Sequence, residues 1–244
     1  MTSIIDDLIA VLPDDVAVKS VHVGVHWTAV SSRHCGLAST LVGSQPHGQA
    51  KVRDVGRLHF KSAHELIEYA RSDNLLEASI GIAAINSLLA VNEAQVVELN
   101  AGDVLLQQGH GKPVALVGHF PFIPQLRASA RELWVIEQQP TVDEYPAEAA
   151  TDLIPKAEVV AITSSALINQ TLDDLLALCR PQALVMLLGP STPLSPVLFD
   201  HGVSLLSGAQ VVDEAAALRT LCQGATFQQM AGMRLVTLAR ERSA

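Results

Sequence analysis

The chain reads as an α/β protein in two parts: a small α+β unit over residues 1–100, then a parallel-sheet α/β unit over residues 101–244. Three observations predict this. In the first hundred residues the strand patterns come first and two helices follow, which makes an α+β unit. From about residue 112, short continuous apolar runs alternate with helical segments, as parallel strands covered on both faces require. The composition, 49% hydrophobic and 17% charged over 244 residues, supplies ample material for packed cores. With only 4% aromatic residues, those cores must be built mainly from Leu, Val, Ile and Ala.

Residues 4–12 form a short amphipathic helix stopped near Pro13. The segment VKSVHVGVHWTAV over residues 18–30 alternates, placing Val21, Val23 and Val25 on one face of a strand. Residues 36–42 supply its hairpin partner. Ser62-x-x-Glu65 is a capping box that opens the helix AHELIEYARS. Residues 75–91 follow as a helix apolar on nearly every side, and so a buried one.

The second part continues with a strand at 114–117 and a helix at 121–131 with Pro in its first turn. A second strand at 133–137 precedes a short helix at 147–153 ended by Pro155. The third strand, 158–162, is followed by a helix from about 171 to 179 carrying Leu172, Leu175, Leu176 and Cys179 at helical spacing. Strands four and five fall at 184–188 and 203–206. A helix at 211–222 is closed by Gly224, and 234–238 reads as a sixth strand. The boundary between Leu99 and Lys112 is expected to separate two hydrophobic cores.

The net charge of -9 argues against nucleic acid, whose phosphates call for clustered Lys and Arg. The opening MTSIIDDLIAVLPDD carries acids and lacks the basic start and apolar stretch of a signal peptide. No apolar run approaches the roughly 20 residues that cross a bilayer. Cys35, Cys179 and Cys222 are widely spaced and form no C-x-x-C pair, so neither a disulfide framework nor a zinc knuckle is suggested. A reducing cytoplasm is the expected compartment.

In an open parallel sheet, ligands bind beyond the carboxyl ends of the strands. Those ends read Gly118-His119-Phe120-Pro121-Phe122, Glu137-Gln138, Thr163-Ser164-Ser165, Gly189-Pro190-Ser191-Thr192 and Ser207-Gly208. Such small and polar residues let main-chain amides approach a ligand, although ordinary turns favour them too. Glu137, at the tip of the second strand and about 20 residues past the first loop, is placed to accept the hydroxyls of a ribose; a solvated strand-end carboxylate is the competing account. The first loop, G-H-F-P-F-I, lacks the glycines that a pyrophosphate needs, and neither a Walker A motif nor a G-x-S-x-G elbow is present. Asn169 and Thr171 either cap the following helix or help its amides hold an anion. Asn86, in the most apolar helix, is either a satisfied core amide or a ligand contact at a cleft. Glu137, His119 and Asn169 are expected to converge on one pocket, with the third strand beside the second.

Nine histidines raise the question of metal. On one strand, His22 and His26 would stand about 13 Å apart at roughly 3.3 Å per residue, too far to share an ion. His34 and Cys35 would point to opposite faces. A preformed site would need distant segments, such as His119 with His34, Cys35 or His47, and no tight structural zinc site is expected.

The stretches V-A-L-V-G-H-F-P-F, V-I-E-Q-Q-P, A-I-T-S-S-A-L-I-N-Q-T-L-D-D-L-L and L-L-G-P-S-T-P-L-S-P, with H-W-T-A-V, G-L-A-S-T and A-A-I-N before them, cover nearly the whole chain. This ordered set resembles the "putative heavy-metal chelation" family of prokaryotes. The resemblance implies an enolase-N-terminal-like first domain, a Rossmann-like second domain and a ligand site between them. It implies a small-molecule-binding protein or enzyme of heavy-metal or metal-chelator metabolism, near anaerobic cobalamin synthesis. The residues it carries over are Asn86, Gly118, His119, Pro121, Glu137, Thr163, Asn169, Thr171, Gly189, Pro190 and Ser191. The cofactor left open is a transition-metal ion or a metal chelate. The partner expected is a small-molecule ligand, not nucleic acid or membrane, and a homo-oligomer is compatible with the sequence. Two other readings stay open: a non-catalytic metal binder, and a transferase using a nucleotide or S-adenosylmethionine.

Overall fold

The computed structural model describes residues 3–43 and 51–240; His47 lies outside them. The first part opens with helix α1 (Ile4–Ala10), whose Asp6 amide is capped by the Ser3 hydroxyl. A three-stranded antiparallel meander follows: β1 (Ser20–Val23), β2 (Trp27–Ser31) and β3 (Cys35–Ser39). The alternating run at 18–30 is thus two strands, not one. Gly24 N–H donates to Trp27 O at 2.8 Å and turns the chain. Val23 and Val25 are exposed, and all five residues of β2 form the buried side instead.

Helix α2 (Ala63–Ile67) carries the expected capping box, with both reciprocal bonds between Ser62 and Glu65. Helix α3 (Leu75–Leu88), capped by Asn74, is buried on every side from Glu77 to Ile85. The backbone of β3 rests directly on it: a Cβ at Gly36 would come within 2.2 Å of Ala83 O and 2.3 Å of Ser87 N. On its other flank, a Cβ at Gly81 would lie 2.0 Å from Ala70 N. Only glycine allows main chains to meet so closely.

The second part begins before the expected boundary at residue 101, since β4 (Val96–Val97) joins its sheet; it continues with α4 (Ala101–Gly109), β5 (Pro113–Val117), α5 (Ile123–Ser129), β6 (Glu132–Glu137), β7 (Tyr145–Pro146) and α6 (Ala150–Leu153). After these come β8 (Val159–Thr163), α7 (Ser165–Ile168), α8 (Leu172–Ala177), β9 (Leu184–Leu188), α9 (Val197–Asp200), β10 (Leu205–Val211), α10 (Glu214–Cys222) and β11 (Met233–Ala239). They build an eight-stranded sheet in the order β4-β11-β10-β9-β8-β5-β6-β7, parallel from β10 to β7 and antiparallel where β11 meets β10 and β4. No helix of the described residues is long and apolar enough to cross a membrane.

Two expectations are corrected here. The third strand of the parallel run, β8, lies beside the first, β5, and not beside the second. The outer edge of β6 is taken by β7, so β8 pairs on the free side of β5. The cores are not separate either. Ile4, Leu66 and Ile85 of the first part share one buried cluster with Ile136, Val160 and Leu187 of the sheet. Alternate residues of the strands, Val114, Leu116, Val135 and Ala161, face a second cluster under α4 and α5. One side of the sheet is therefore covered by the first part itself. Trp27 Nε1 donates to Ala225 O at 2.9 Å, and Ser31 Oγ to Glu214 Oε1 at 2.6 Å, across the same junction.

Glu77 is a buried carboxylate on α3. It accepts from Arg53 Nε at 2.9 Å, Ser72 Oγ at 2.6 Å and the Arg53 amide at 2.6 Å. Burial alone would push its carboxyl up; the bonds from Arg53 and Ser72 outweigh that and hold it below the ordinary value. Its stability contribution is therefore complete above the ordinary carboxylate range and is lost as pH falls through the lowered value. Glu77→Gln should cost about 1–3 kcal/mol at pH 7 and weaken the acid dependence of unfolding, read by urea melts across pH. Gly36→Ala, which must part a strand from a helix, should cost about 3 kcal/mol or more; a melt indistinguishable from the parent would show that the two backbones separate freely.

Candidate functional site

The sheet's topology fixes where a ligand fits. Following β5 the chain leaves toward α5, and following β8 it leaves toward α7, so the crevice opens between these adjacent strands. A cavity of about 900 Å³ lies there, within the range of small-molecule sites. The second part supplies most of its wall, and Trp27 and Ser39 bring in the first. The wall is largely apolar: the rings of Phe120 and Phe122 stack with centroids 5.2 Å apart, and Leu99, Leu106, Leu188 and Leu235 extend the surface. Gly102, in the first turn of α4, lies against Phe122, where a Cβ would come within 2.8 Å of the ring. The first turn of α4 thus forms part of the wall, with Asn100 capping it through Gly102 N–H at 2.8 Å.

Polar side chains are interspersed in it. Ser164, Ser165, Thr163, Gln125 and Gln228 border the space, as do Ser39, Asn100, Ser207 and Thr226, and His119 and Asp103 are its ionisable members; among the described residues no Lys or Arg lines it. His119 Nδ1 lies 2.6 Å from Glu144 Oε1. The Glu144 side chain is only 5% exposed, against 64% for that of His119. The Thr141 amide and then the imidazole hold the Glu144 carboxyl below its ordinary value. A carboxylate partner assigns the hydrogen to Nδ1, which leaves the Nε2 lone pair of a neutral imidazole available.

The expected site residues divide into two groups. His119, Pro121, Thr163, Gly189 and Pro190 line the cavity. Gly118 adjoins it; its φ of 110°, and the 2.9 Å that would separate a Cβ there from Thr163 Cβ, both demand glycine. Glu137 and Asn169 do not line it, so the expected convergence of these two with His119 fails. The reordering of the sheet moves Glu137 toward the β7 edge, where Glu137 Oε2 accepts from the amide of Gln138 at 2.9 Å. A short helix, α7, intervenes before Asn169, whose Oδ1 accepts from Thr171 Oγ1 at 2.7 Å and from the Thr171 amide at 3.3 Å. Both are local turn contacts. Asn86 ties the parts together, donating to Leu37 O at 2.8 Å and Ser191 O at 3.1 Å. Ser191, fully buried, accepts from the Ser39 amide at 2.7 Å. Sequence reasoning placed Ser164 only among the strand ends and passed over Asp103 and the whole of α4; Asn100 as a cap was the available signal.

A metal ion finds little here. Among the described residues no group of three His, Cys, Asp or Glu side chains is arranged to hold one. His34 and Cys35 both border a smaller cavity of about 290 Å³, away from His119. Burial pushes the Cys35 thiol up to about 12 and the Cys179 thiol up to about 11, so neither is a ready thiolate. Cys222 Sγ lies 3.7 Å from His22 Nδ1 at the surface, a pair without a third donor.

Two family models, both described as "Putative heavy-metal chelation", match residues 5–89 and 100–240. The chain is similar to an uncharacterized protein of Methanocaldococcus jannaschii, 28% identical over 191 residues that cover 75% of this chain and 72% of the relative. A crystal structure of a protein of unknown function from Desulfitobacterium hafniense superposes with a TM-score of 0.86 at 29% identity, covering 97% of this chain and 98% of that one. One from Pyrococcus horikoshii shares the fold, with a TM-score of 0.82 at 22% identity over 97% and 98% of the two chains.

The Glu144 tie yields a pH prediction. Because its carboxyl is held low, the bonds to Thr141 and His119 are complete above the ordinary carboxylate range and are lost as pH falls through the lowered value. Carbon NMR of the Glu144 carboxyl should give a midpoint below about 4.3, the ordinary glutamate value. A midpoint at or above it would mean that His119 is not held.

Proposed function

Since the chain belongs to the family described as "Putative heavy-metal chelation", we propose that it acts on the metal-handling molecule and not on the bare ion: the cavity receives an organic chelator or its metal complex. The observation that carries this reading is the mismatch between the donors and the space. The cavity is large and mainly apolar, with stacked Phe rings and a single imidazole, and the described residues offer no three-donor cluster. A bare ion needs three or four protein donors; an organic complex brings its own and needs apolar walls with a few polar contacts.

In this reading His119 Nε2 takes one open coordination position of a metal already bound by the chelator. Glu144 fixes the ring for that task, as carboxylates do behind metal-binding histidines. The partner is a small molecule, since among the described residues the wall has no Lys or Arg to meet the phosphates of a nucleic acid. We place the protein in the cytoplasm, where its three free cysteines would remain reduced.

The test is a thermal-shift and calorimetry series with zinc, nickel and cobalt ions alone, and with phenanthroline and hydroxyquinoline, metal-free and metal-loaded. A bound chelator at a hundredfold excess over Kd should stabilise the protein by about 2.7 kcal/mol. Phe122→Ala should remove most of that shift, whereas Glu137→Ala and Asn169→Ala should leave it intact. Tight binding of a bare ion with no response to any chelator would overturn the proposal.

A further inference from the structure

Val117 and Ile162 are the last paired residues of β5 and β8. Beyond them the two following loops both line the cavity, and Gly118 stays against Thr163, whose Cβ would lie 2.9 Å from a Cβ at that glycine. Ser164 is only 1% exposed. Its amide donates to Leu188 O at 2.8 Å and its carbonyl accepts from Leu167 N–H at 3.1 Å, but its hydroxyl makes no hydrogen bond among the described residues. None of their fully enclosed side-chain polar atoms lacks a partner. The Ser164 hydroxyl therefore opens into the cavity that this residue lines.

Gly189 keeps that opening clear. A Cβ there would lie 2.7 Å from Ser164 Oγ, at a φ of 126° that other residues rarely adopt. In the loop after β5, which lines the same cavity, the main-chain N–H groups of His119 and Phe120 are also without a partner among the described residues. A ligand acceptor that meets this hydroxyl gains a hydrogen bond in a largely water-shielded corner.

We propose that this corner is the acid-recognising end of the cavity: Ser164 Oγ and the N–H groups of His119 and Phe120 seat a carboxylate of the bound organic molecule. The inference rests on the reading of the cavity as an organic-ligand site. The corner offers donors, so it selects a group with several acceptor oxygens. With no Lys or Arg among the described residues of the wall, a singly charged carboxylate suits it better than a phosphate, which carries nearly two charges and calls for a cation. Asp103 occupies the first turn of α4 and repels an anion there, which leaves the β5–β8 corner as the anionic end.

The experiment compares three probes that share a phenyl body: phenylbutyrate, phenylbutanol and phenyl phosphate. Their binding is followed by amide chemical shifts of the intact protein. Phenylbutyrate should bind about tenfold more tightly than phenylbutanol and shift the amides of His119, Phe120 and Ser164. Ser164→Ala should remove that advantage, leave phenylbutanol unaffected, and melt at the parental temperature or above, since it deletes a hydroxyl with no partner. A lower melting temperature would make the hydroxyl structural and overturn the assignment. Tighter binding of phenyl phosphate would overturn the choice of carboxylate. If butyrate and butanol probes bind alike, only the acid-recognising corner is wrong; if neither enters, the organic-ligand reading of the cavity falls with it.

Discussion

Helix α3 has no face left for water, and from this the rest of the architecture follows. A helix buried around nearly its whole circumference must be enclosed, and the small first part has only a three-stranded sheet and short helices to enclose it. The missing cover comes from the second part, where α7 and one face of the parallel sheet complete the shell in a single cluster. Enclosure this close requires main chain against main chain, which is why Gly36 and Gly81 occupy the two contact lines. The two parts are therefore one packed body, and the bonds of Asn86, Trp27 and Ser31 across the junction are consequences of that shared core.

The cavity inherits its character from the junction. Its floor is set by strand ends, where Gly118 and Gly189 turn the chain away and free main-chain groups, and its roof includes Trp27 and Ser39 from the first part. The result is an apolar chamber with sparse, well-positioned polar atoms. Such a chamber discriminates by shape and by a few hydrogen bonds. The proposed organic ligand would reconcile membership of the heavy-metal chelation family with a chamber poor in metal donors.

Much of this was legible in the residues. Continuous apolar runs between helices locate β5, β6, β8 and β9 to within about two residues, because a strand covered on both faces has no polar side to interrupt it. The capping box at Ser62 and the buried helix after it were equally plain. What the residues could not convey was order within the sheet. Tyr145–Pro146 is too short to read as a strand, yet it occupies the edge of β6 and sends β8 to the other side of β5. That one exchange moves Glu137 away from the crevice and brings the loops after β5 and β8 to one cavity. Asn169 departs from expectation for a local reason, since the four-residue helix α7 carries no periodicity long enough to detect. The turn at Gly24 was hidden because valines on both sides preserved the alternation.

The position of β11 bears on how the molecule is made. It is inserted between β10 and β4, pairing Val236 with Gly208 and Leu238 with Val96. Until residue 239 has left the ribosome, β10 presents a bare edge and β4 has no partner in the sheet. The parallel strands from β5 to β9 can associate earlier, as each meets a neighbour already synthesised, but the β4 margin waits for the last strand. During that interval an exposed edge invites pairing with another nascent chain. Prompt closure of that margin by β11, and chaperones that shield strand edges, should therefore limit self-association while this protein folds.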